Sequence, residues 1–439
     1  MSAQPIINDS HAVPAAGESE VLDVVGVGFG PSNLGLAIAI HEHNGAVAPP
    51  DRITATFVET KDRFGWHPGM LLPGTTMQIS FLKDLVLQRN ARSEFTFLNY
   101  LQESGRLHHF INYQTFFPTR IEFHKYLEWA SDKVAANVRY ATRATRLADA
   151  GSHFKISLEG KDTAPLLARN VVLAGGLSKQ LPPGVTASLR QFHNHTLLHN
   201  LAELPQRMHG KFVVLGAGQS AAEVVHYLHS TYLDAEVHAV FGKYGYSPSD
   251  DSPYANRIFD ADAVDDYYKS PPELKRQLLD YHRGTNYSAV DLPLIEQLYA
   301  IEYAERVSDS RRLFMHGASG ITSAIEDSDG VRVTVEHRPT QLTETMDTDA
   351  IVYATGFEPM NLPALLGELH DTAVVDHTQP RVTRDYRLCT TTPTFGNIYL
   401  QGGTEDTHGL TSSLLSNIAV RSGEIIESIA YSKSSVGAQ

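Results

Sequence analysis

At 439 residues the chain is long enough for two or three domains with cores of their own, and 42% hydrophobic against 20% charged residues is an ordinary globular balance. The 36 Lys and Arg are outnumbered by 50 Asp and Glu, and a formal net charge of −14 argues against a general nucleic-acid binder, which needs clustered cations. No apolar run reaches the roughly 18 residues of a membrane span, and the single cysteine, Cys389, excludes an internal disulfide and fits a reducing cytoplasm.

Residues 1–20 carry neither a basic start nor an apolar stretch, so they read as a flexible leader rather than a signal peptide. Val21–Val25 is short and β-branched and runs into glycines, the pattern of a buried parallel strand. The turn Gly26–Val27–Gly28–Phe29–Gly30–Pro31 follows, and then small, apolar Leu34–Ile40, a helix packed on a sheet. Glycines at Gly26, Gly28 and Gly30 let the backbone approach a pyrophosphate, and the helix N-terminus offers N–H donors. Pro31 replaces the usual glycine or alanine but suits the first turn of a helix. The next strand, Ile53–Glu59, ends in a carboxylate able to accept from a ribose hydroxyl. A plain tight turn is the bland alternative.

Asn170–Gly176 reads as a strand closed by a glycine turn. Lys211–Ser230 then repeats the first unit. Its strand, Phe212–Leu215, enters Gly216–Ala217–Gly218–Gln219–Ser220–Ala221, the full fingerprint, with a helix from about Ser220 and a next strand at Val237–Phe241. Gly242 and Lys243 follow that strand, with no acid to repel a 2′-phosphate, which favours NADPH over NADH. A solvated turn lysine is the other reading of Lys243. Pro271–Val307 has helical periodicity, and Ala350–Phe357 is another strand with a glycine turn, returning the chain to the first sheet. The fold class is α/β, two nested Rossmann-like dinucleotide-binding domains with a small helical substrate subdomain. The first domain is discontinuous, 21–205 plus 345–439. The second is inserted at 206–344 and carries the helical segment at about 250–310.

Two cradles in one chain point to a flavin and a nicotinamide exchanging a hydride. A disulfide acceptor needs two cysteines, so that route is closed, and oxygen or a small organic acceptor remains. His108–His109 and His193–Asn194–His195 lack the spacing of a zinc site, and no metal is expected.

Seven segments occur in order: Gly26–Asn33, Met77–Leu85, Gly216–Glu223, Asp251–Phe259, Thr285–Ser288, Ala354–Gly356 and Thr407–Ser416. Together, over nearly the whole chain, they resemble the siderophore-associated N-hydroxylating flavin monooxygenases, the L-ornithine N5- and L-lysine N6-hydroxylases. The resemblance implies FAD and NADPH as cofactors and O2 as co-substrate. It places FAD on Gly26, Gly28, Gly30, Pro31, Glu59, Trp66, His67 and Gln78, with Thr407, His408, Gly409, Ser413, Leu414 and Leu415 closing from the C-terminal side. It gives NADPH to Gly216, Ala217, Gly218, Gln219 and Ser220, with Lys243, Asn256, Asn286, Tyr287 and Ser288 further along. Lys83 would pair with the substrate carboxylate, aided by Asn286; Asn256 would stand between nicotinamide and substrate, and Ser416 would line the amine end. Many members have an arginine near the 2′-phosphate, where this chain has Gly242 and Lys243.

The residue types agree. Lys83 lies in the mostly apolar Ile79–Leu85 and needs an anion, though a salt bridge to Asp84 or a distant acid would serve as well. Asn256 and Asn286 suit turns as much as ligands. The expected reaction is hydroxylation of the terminal amine of L-ornithine through a C4a-hydroperoxyflavin, in hydroxamate siderophore biosynthesis. L-Lysine, putrescine and cadaverine are alternatives for the same chemistry. A flavin reductase or NADPH oxidase, and a non-catalytic redox sensor, are more remote. One methylene separates ornithine from lysine, about 1–3 kcal/mol of discrimination, and it resides in pocket depth. Only a neutral amine has a lone pair to offer, so activity should rise with pH. A cytoplasmic homo-oligomer, dimer or tetramer, without nucleic-acid or membrane partners, completes the expectation.

Overall fold

The computed structural model describes residues 20–205, 210–285, 287–376 and 379–436; all but the last residue of the expected leader lies outside them. Val21–Val27 is the hub of the first sheet because it is apolar on both faces, Val24 and Val25 being fully buried. It pairs in parallel with Ala55–Val58 on one side and Leu166–Leu173 on the other. Val138–Arg139 adds a parallel strand beyond Ala55–Val58. Leu166–Leu173 has two further neighbours along its length. Its start pairs antiparallel with Phe154–Gly160, itself paired with Thr142–Asp149, and its end pairs in parallel with Asn397–Leu400. Segments distant in sequence thus share one seven-stranded sheet among the described residues.

The second sheet is parallel throughout, in the order Leu313–His316, Glu236–Val240, Lys211–Leu215, Ala350–Tyr353, Gln191–His193. Read from sequence, Ala350–Phe357 belongs to the first sheet and residues before 206 to the first domain. In the structure Ala350–Tyr353 and Gln191–His193 both join the second sheet, which reaches past the edges expected at 206 and 344. The reason is physical. All four residues of Ala350–Tyr353 are buried, and a uniformly apolar strand carries no mark of which sheet owns it.

A third, antiparallel sheet of Ser319–Glu326, Val331–His337 and Leu342–Thr348 lays Val331, Val333, Val335 and Met346 against Val213, Val240 and Ile351 of the second. Helices Pro272–His282 and Leu292–Val307 fall in the stretch with helical periodicity, and Ala261–Lys269 adds a helix just before it.

Pro31–Ala46 is buried from Asn33 to Ile40 because it lies close against the helix Ile418–Val436. Gly35 permits that approach, since a Cβ there would stand 2.5 Å from Ile418 Cγ2. Around Arg120–Val134 the core is aromatic, with Phe97 and Phe123 stacked at 5.9 Å and Tyr126 wholly buried beside them.

Candidate cofactor and substrate site

The first glycine turn can be built only as it is. Gly28 has φ +85°, and a Cβ on it would lie 2.4 Å from the Ala174 carbonyl oxygen; one on Gly26 would strike the Phe57 ring at 2.3 Å. Gly30 differs: a Cβ there would meet nothing within 4 Å, so an open face lies at the start of the helix that Pro31 begins. Such a cradle fits a pyrophosphate. Glu59, 6% exposed, latches the turn to the second strand. Its Oε2 accepts from Phe29 N at 2.8 Å, and its Oε1 accepts from Lys61 N at 3.0 Å and from the Thr60 hydroxyl at 3.1 Å. A carboxylate accepts about four bonds, so one direction is left for a ribose hydroxyl.

Behind the turn runs a chain of buried amides and one arginine. Asn33 Nδ2 donates to Gly28 O at 2.7 Å, Asn33 Oδ1 accepts from Gln401 at 3.1 Å, and Gln401 accepts from Arg421 Nε at 3.4 Å. Arg421, 2% exposed, also donates to Ser412 O at 2.7 Å and to the Ser32 hydroxyl at 3.3 Å. Burial pulls its pKa below the usual guanidinium range. A buried cation is best balanced by an anion, and the pyrophosphate cradle adjoins Ser32. Among the described residues Thr404 Oγ1, Ser412 Oγ and both amide atoms of Asn417 are buried without a partner. Each such atom costs about 1–3 kcal/mol unless something fills the gap. A polar heteroaromatic ring such as a flavin's, lying against Thr404–Asn417, would supply the missing partners, so these residues fit FAD.

One of the residues read as flavin contacts, His408, is committed to the protein itself, and a second, His67, is so at one ring nitrogen. His408 stacks on Tyr386 with centroids 4.2 Å apart, and its ring nitrogens meet Arg384 O at 3.0 Å and the Thr407 hydroxyl at 2.8 Å, so neither is left for a cofactor. His67, at φ +48°, sets Nδ1 3.2 Å from Nδ1 of His195, and Trp66 packs edge-on to His67 and Phe123. Burial, then the neighbouring ring, drives His67 down to about 3; burial likewise, with Lys179 and His193 nearby, takes His195 down to about 4. Gly409, Leu414 and Leu415 lie in the turns bordering Leu410–Ser413, the backbone turn that holds Ser413.

The second turn repeats the logic with different supports. Gly216, at φ +154°, would place a Cβ 2.4 Å from Ala354 O, and Gly218 caps the helix Gln219–Thr231. Ala217 lies between those glycines and Ser220 in the helix's first turn. Ser288, at φ +55°, lies over Gly218, and its carbonyl accepts from Lys243 Nζ at 2.8 Å. Tyr287 donates its hydroxyl to Glu405, joining this loop to the segment before Thr407. Gln219, read from sequence as part of the pyrophosphate turn, points its side chain away from that turn. It donates to Glu223 at 3.0 Å and Asp291 at 3.2 Å and accepts from Asp291 N at 2.9 Å. Only its backbone remains at the helix start. Asp291 also accepts from Gln78 at 3.2 Å, and Glu223 takes both arms of Arg120 at 2.8 Å each. Gln78 and Arg120 therefore clasp the second unit onto the first.

Lys83 sits on a rigid loop. Asp84, the obvious salt-bridge partner, is instead 3% exposed and accepts from Val86 N, Leu87 N and Phe97 N. Burial pushes its carboxyl up from the usual range, against the pull of those three donors. The Tyr126 hydroxyl accepts from Leu85 N at 3.1 Å and donates to Phe95 O at 3.0 Å. Lys83 is left half-buried, and among the described residues its ammonium has no hydrogen-bond or ion-pair partner. Asn256 is half-buried in the turn Ala255–Phe259 with Nδ2 on Asp251 O at 2.8 Å, a turn contact that leaves Oδ1 free among the described residues. Ser416 is buried. No hydrogen bond among the described residues joins Lys83, Asn256 and Ser416 to one another, and Asn286 lies outside the described residues. No group of His, Cys, Asp or Glu among the described residues is arranged to hold a metal.

The L-lysine 6-monooxygenase/L-ornithine 5-monooxygenase family matches residues 20–359. The chain belongs to this family. It is 38% identical over 403 residues to an L-ornithine N(5)-monooxygenase of Burkholderia cepacia, covering 89% of this chain and 90% of the relative. Among solved structures it matches an ornithine N-hydroxylase of Kutzneria sp. 744, solved with reduced FAD, NADP+ and L-ornithine, at TM-score 0.90 and 42% identity over 94% of this chain and 100% of that one. The ornithine hydroxylase PvdA of Pseudomonas aeruginosa follows at TM-score 0.87 and 32% identity, covering 94% of this chain and 99% of that one.

For a member of this family, sequence reasoning missed the supports rather than the turns. Gln401 and Arg421 brace the first turn, and Arg120 with Glu223 fixes the second. A signal existed for Arg421, a lone cation in the apolar start of the last helix, where a buried charge must have a purpose. None existed for Arg120, whose partner lies 103 residues away.

Proposed function

We propose that the chain is an FAD- and NADPH-dependent monooxygenase that hydroxylates the terminal N5 amine of L-ornithine, in the making of hydroxamate siderophores. The observation that carries this reading is Lys83, a half-buried ammonium on a braced loop with no anion of its own among the described residues. A substrate α-carboxylate fits it. The loop bonds to the second unit through Gln78 and packs into the core of the first through Leu85, which supports a substrate site between the two.

When bound, FAD supplies the activation of O2, with NADPH as the source of electrons. This chain's residues do the rest. Lys83 orients the amino acid, Asn256 keeps a free carbonyl oxygen for the amine or nicotinamide, and buried Ser416 closes the amine end. The buried run Thr407–Ser412 keeps water from the reacting atoms. L-Ornithine is preferred to L-lysine because the relatives cited above are named for ornithine. A diamine would leave Lys83 without a role.

A homo-oligomer in the cytoplasm belongs to the same proposal. No described helix is long and apolar enough to cross a membrane, and exposed Tyr281, Tyr299 and Tyr303 offer aromatic surface for self-association. The test is hydroxylamine formation by the flavin-loaded protein with L-ornithine, L-lysine, putrescine and cadaverine in parallel. Hydroxylamine from L-ornithine alone, matched to NADPH consumed, supports the reading. Turnover of a diamine alone would remove the role given to Lys83.

A further inference from the structure

Beyond the end of Glu236–Val240, three loops meet beside the second glycine turn. Gly216 N donates to Val240 O at 3.0 Å, which puts Phe241 and Gly242 next to that turn. Ser319 N donates to Phe241 O at 2.9 Å, Ala318 N to Lys243 O at 2.6 Å, and Arg338 N to Ala318 O at 3.0 Å. Arg338 follows the strand Val331–His337, and its guanidinium is seated between two residues that have no side chain. A Cβ on Gly242 would lie 3.2 Å from Arg338 Nη1, and one on Gly320 would lie 3.1 Å from Nη2. Two glycines make a slot for one cation. Arg338 is exposed, and among the described residues its guanidinium has no hydrogen-bond or ion-pair partner.

We propose that Arg338, held in the Gly242–Gly320 slot, binds the 2′-phosphate and selects the phosphate-bearing dinucleotide. The inference rests on the reading of the second turn as the NADPH site. In a doubly wound domain the adenosine ribose lies at the end of the second strand, which here is the end of Glu236–Val240. A planar guanidinium meets a phosphate with two parallel hydrogen bonds, a geometry an ammonium lacks. Lys243, the residue that sequence alone offers for the task, is already tied to Ser288 O at 2.8 Å and adds mainly charge. The arginine that the end of this strand lacks is thus supplied by the neighbouring antiparallel sheet.

The test uses flavin-loaded full-length protein with Arg338→Gln and Arg338→Lys. For Arg338→Gln the ratio of kcat/KM for NADPH over NADH should fall on the order of 10- to 100-fold, with the loss in KM. The dissociation constant of 2′,5′-ADP should rise by the same factor while that of 5′-ADP does not. Arg338→Lys should fall between the two. If Arg338→Gln leaves the ratio within about twofold of the parent, or weakens both nucleotides alike, Arg338 does not read the phosphate. A parent with no preference for NADPH overturns the proposal as well, whereas a parent that binds neither 2′,5′-ADP nor 5′-ADP shows that the reading of the second turn has failed, so the two failures are told apart.

Discussion

The two glycine turns are built alike and braced differently. The first is supported from within its own unit. Glu59, Asn33, Gln401 and Arg421 all belong to the elements of the first sheet and its helices, and all are buried. The second has bonds within its unit, such as Gln219 to Asp291, but is also held from outside, by Arg120 and Gln78 of the first unit, and its cationic groups Lys243 and Arg338 are exposed. Buried, self-contained supports suit a cofactor that stays. Supports that cross between units, with charges open to solvent, suit one that is exchanged at every turnover.

The largest effect should come from breaking the first turn. Gly28→Ala forces a side chain onto φ +85° and against the Ala174 carbonyl, so the protein should lose its yellow colour. Flavin absorbance per chain checks this, and a fully loaded variant would mean that the turn is not the FAD cradle. Lys83→Ala comes next. KM for L-ornithine should rise on the order of 10- to 100-fold, the worth of a charged hydrogen bond, while NADPH-dependent flavin reduction persists. Equal loss of both would make Lys83 a structural residue.

Glu223→Gln leaves the half-buried Arg120 guanidinium against a neutral amide, and breaking a fully buried pair would cost about 3–5 kcal/mol, the upper bound here. Melting temperature should fall, and more of the NADPH consumed should end as hydrogen peroxide, because the second unit loses its seat on the first. FAD content should stay as it was; its loss would erase the contrast between the turns.

Neither turn is touched by the last prediction, which concerns pH dependence. Burial lowers His67 to about 3, and His195, His238 and His408 each to about 4. Their neutral forms are favoured in the folded protein, so stability is complete above the ordinary histidine pKa of about 6.5 and drains away as pH falls towards 4. Thermal melts from pH 8 to 4 should show the decline setting in below about 6.5, and His195→Asn should make it shallower. A flat profile over that window would show that these rings protonate freely in the fold.

What the sequence disclosed was whatever depends on neighbours along the chain. Both glycine turns, the strands before them and the helices after them follow from local pattern, as does Glu59 at a strand end. Sheet ownership of Ala350–Tyr353 did not follow, because a wholly apolar strand satisfies either sheet. The antiparallel sheet from Ser319 to Thr348 was hidden by its half-exposed, polar strands. In the site, Lys83 was legible as a cation in apolar surroundings, but its freedom depends on Asp84 being spent on three backbone donors. The side-chain partner of Gln219 was not legible because Asp291 is 72 residues away, and Arg338 went unseen because its slot joins two glycines from separate loops.

The most direct test of the proposed chemistry is turnover of L-ornithine with NADPH under 18O2, reading the label in the product by mass spectrometry. One labelled oxygen in N5-hydroxyornithine for each NADPH consumed is the expected result. NADPH consumption with all of the label in hydrogen peroxide, and none in the amino acid, would contradict it and leave an NADPH oxidase in its place.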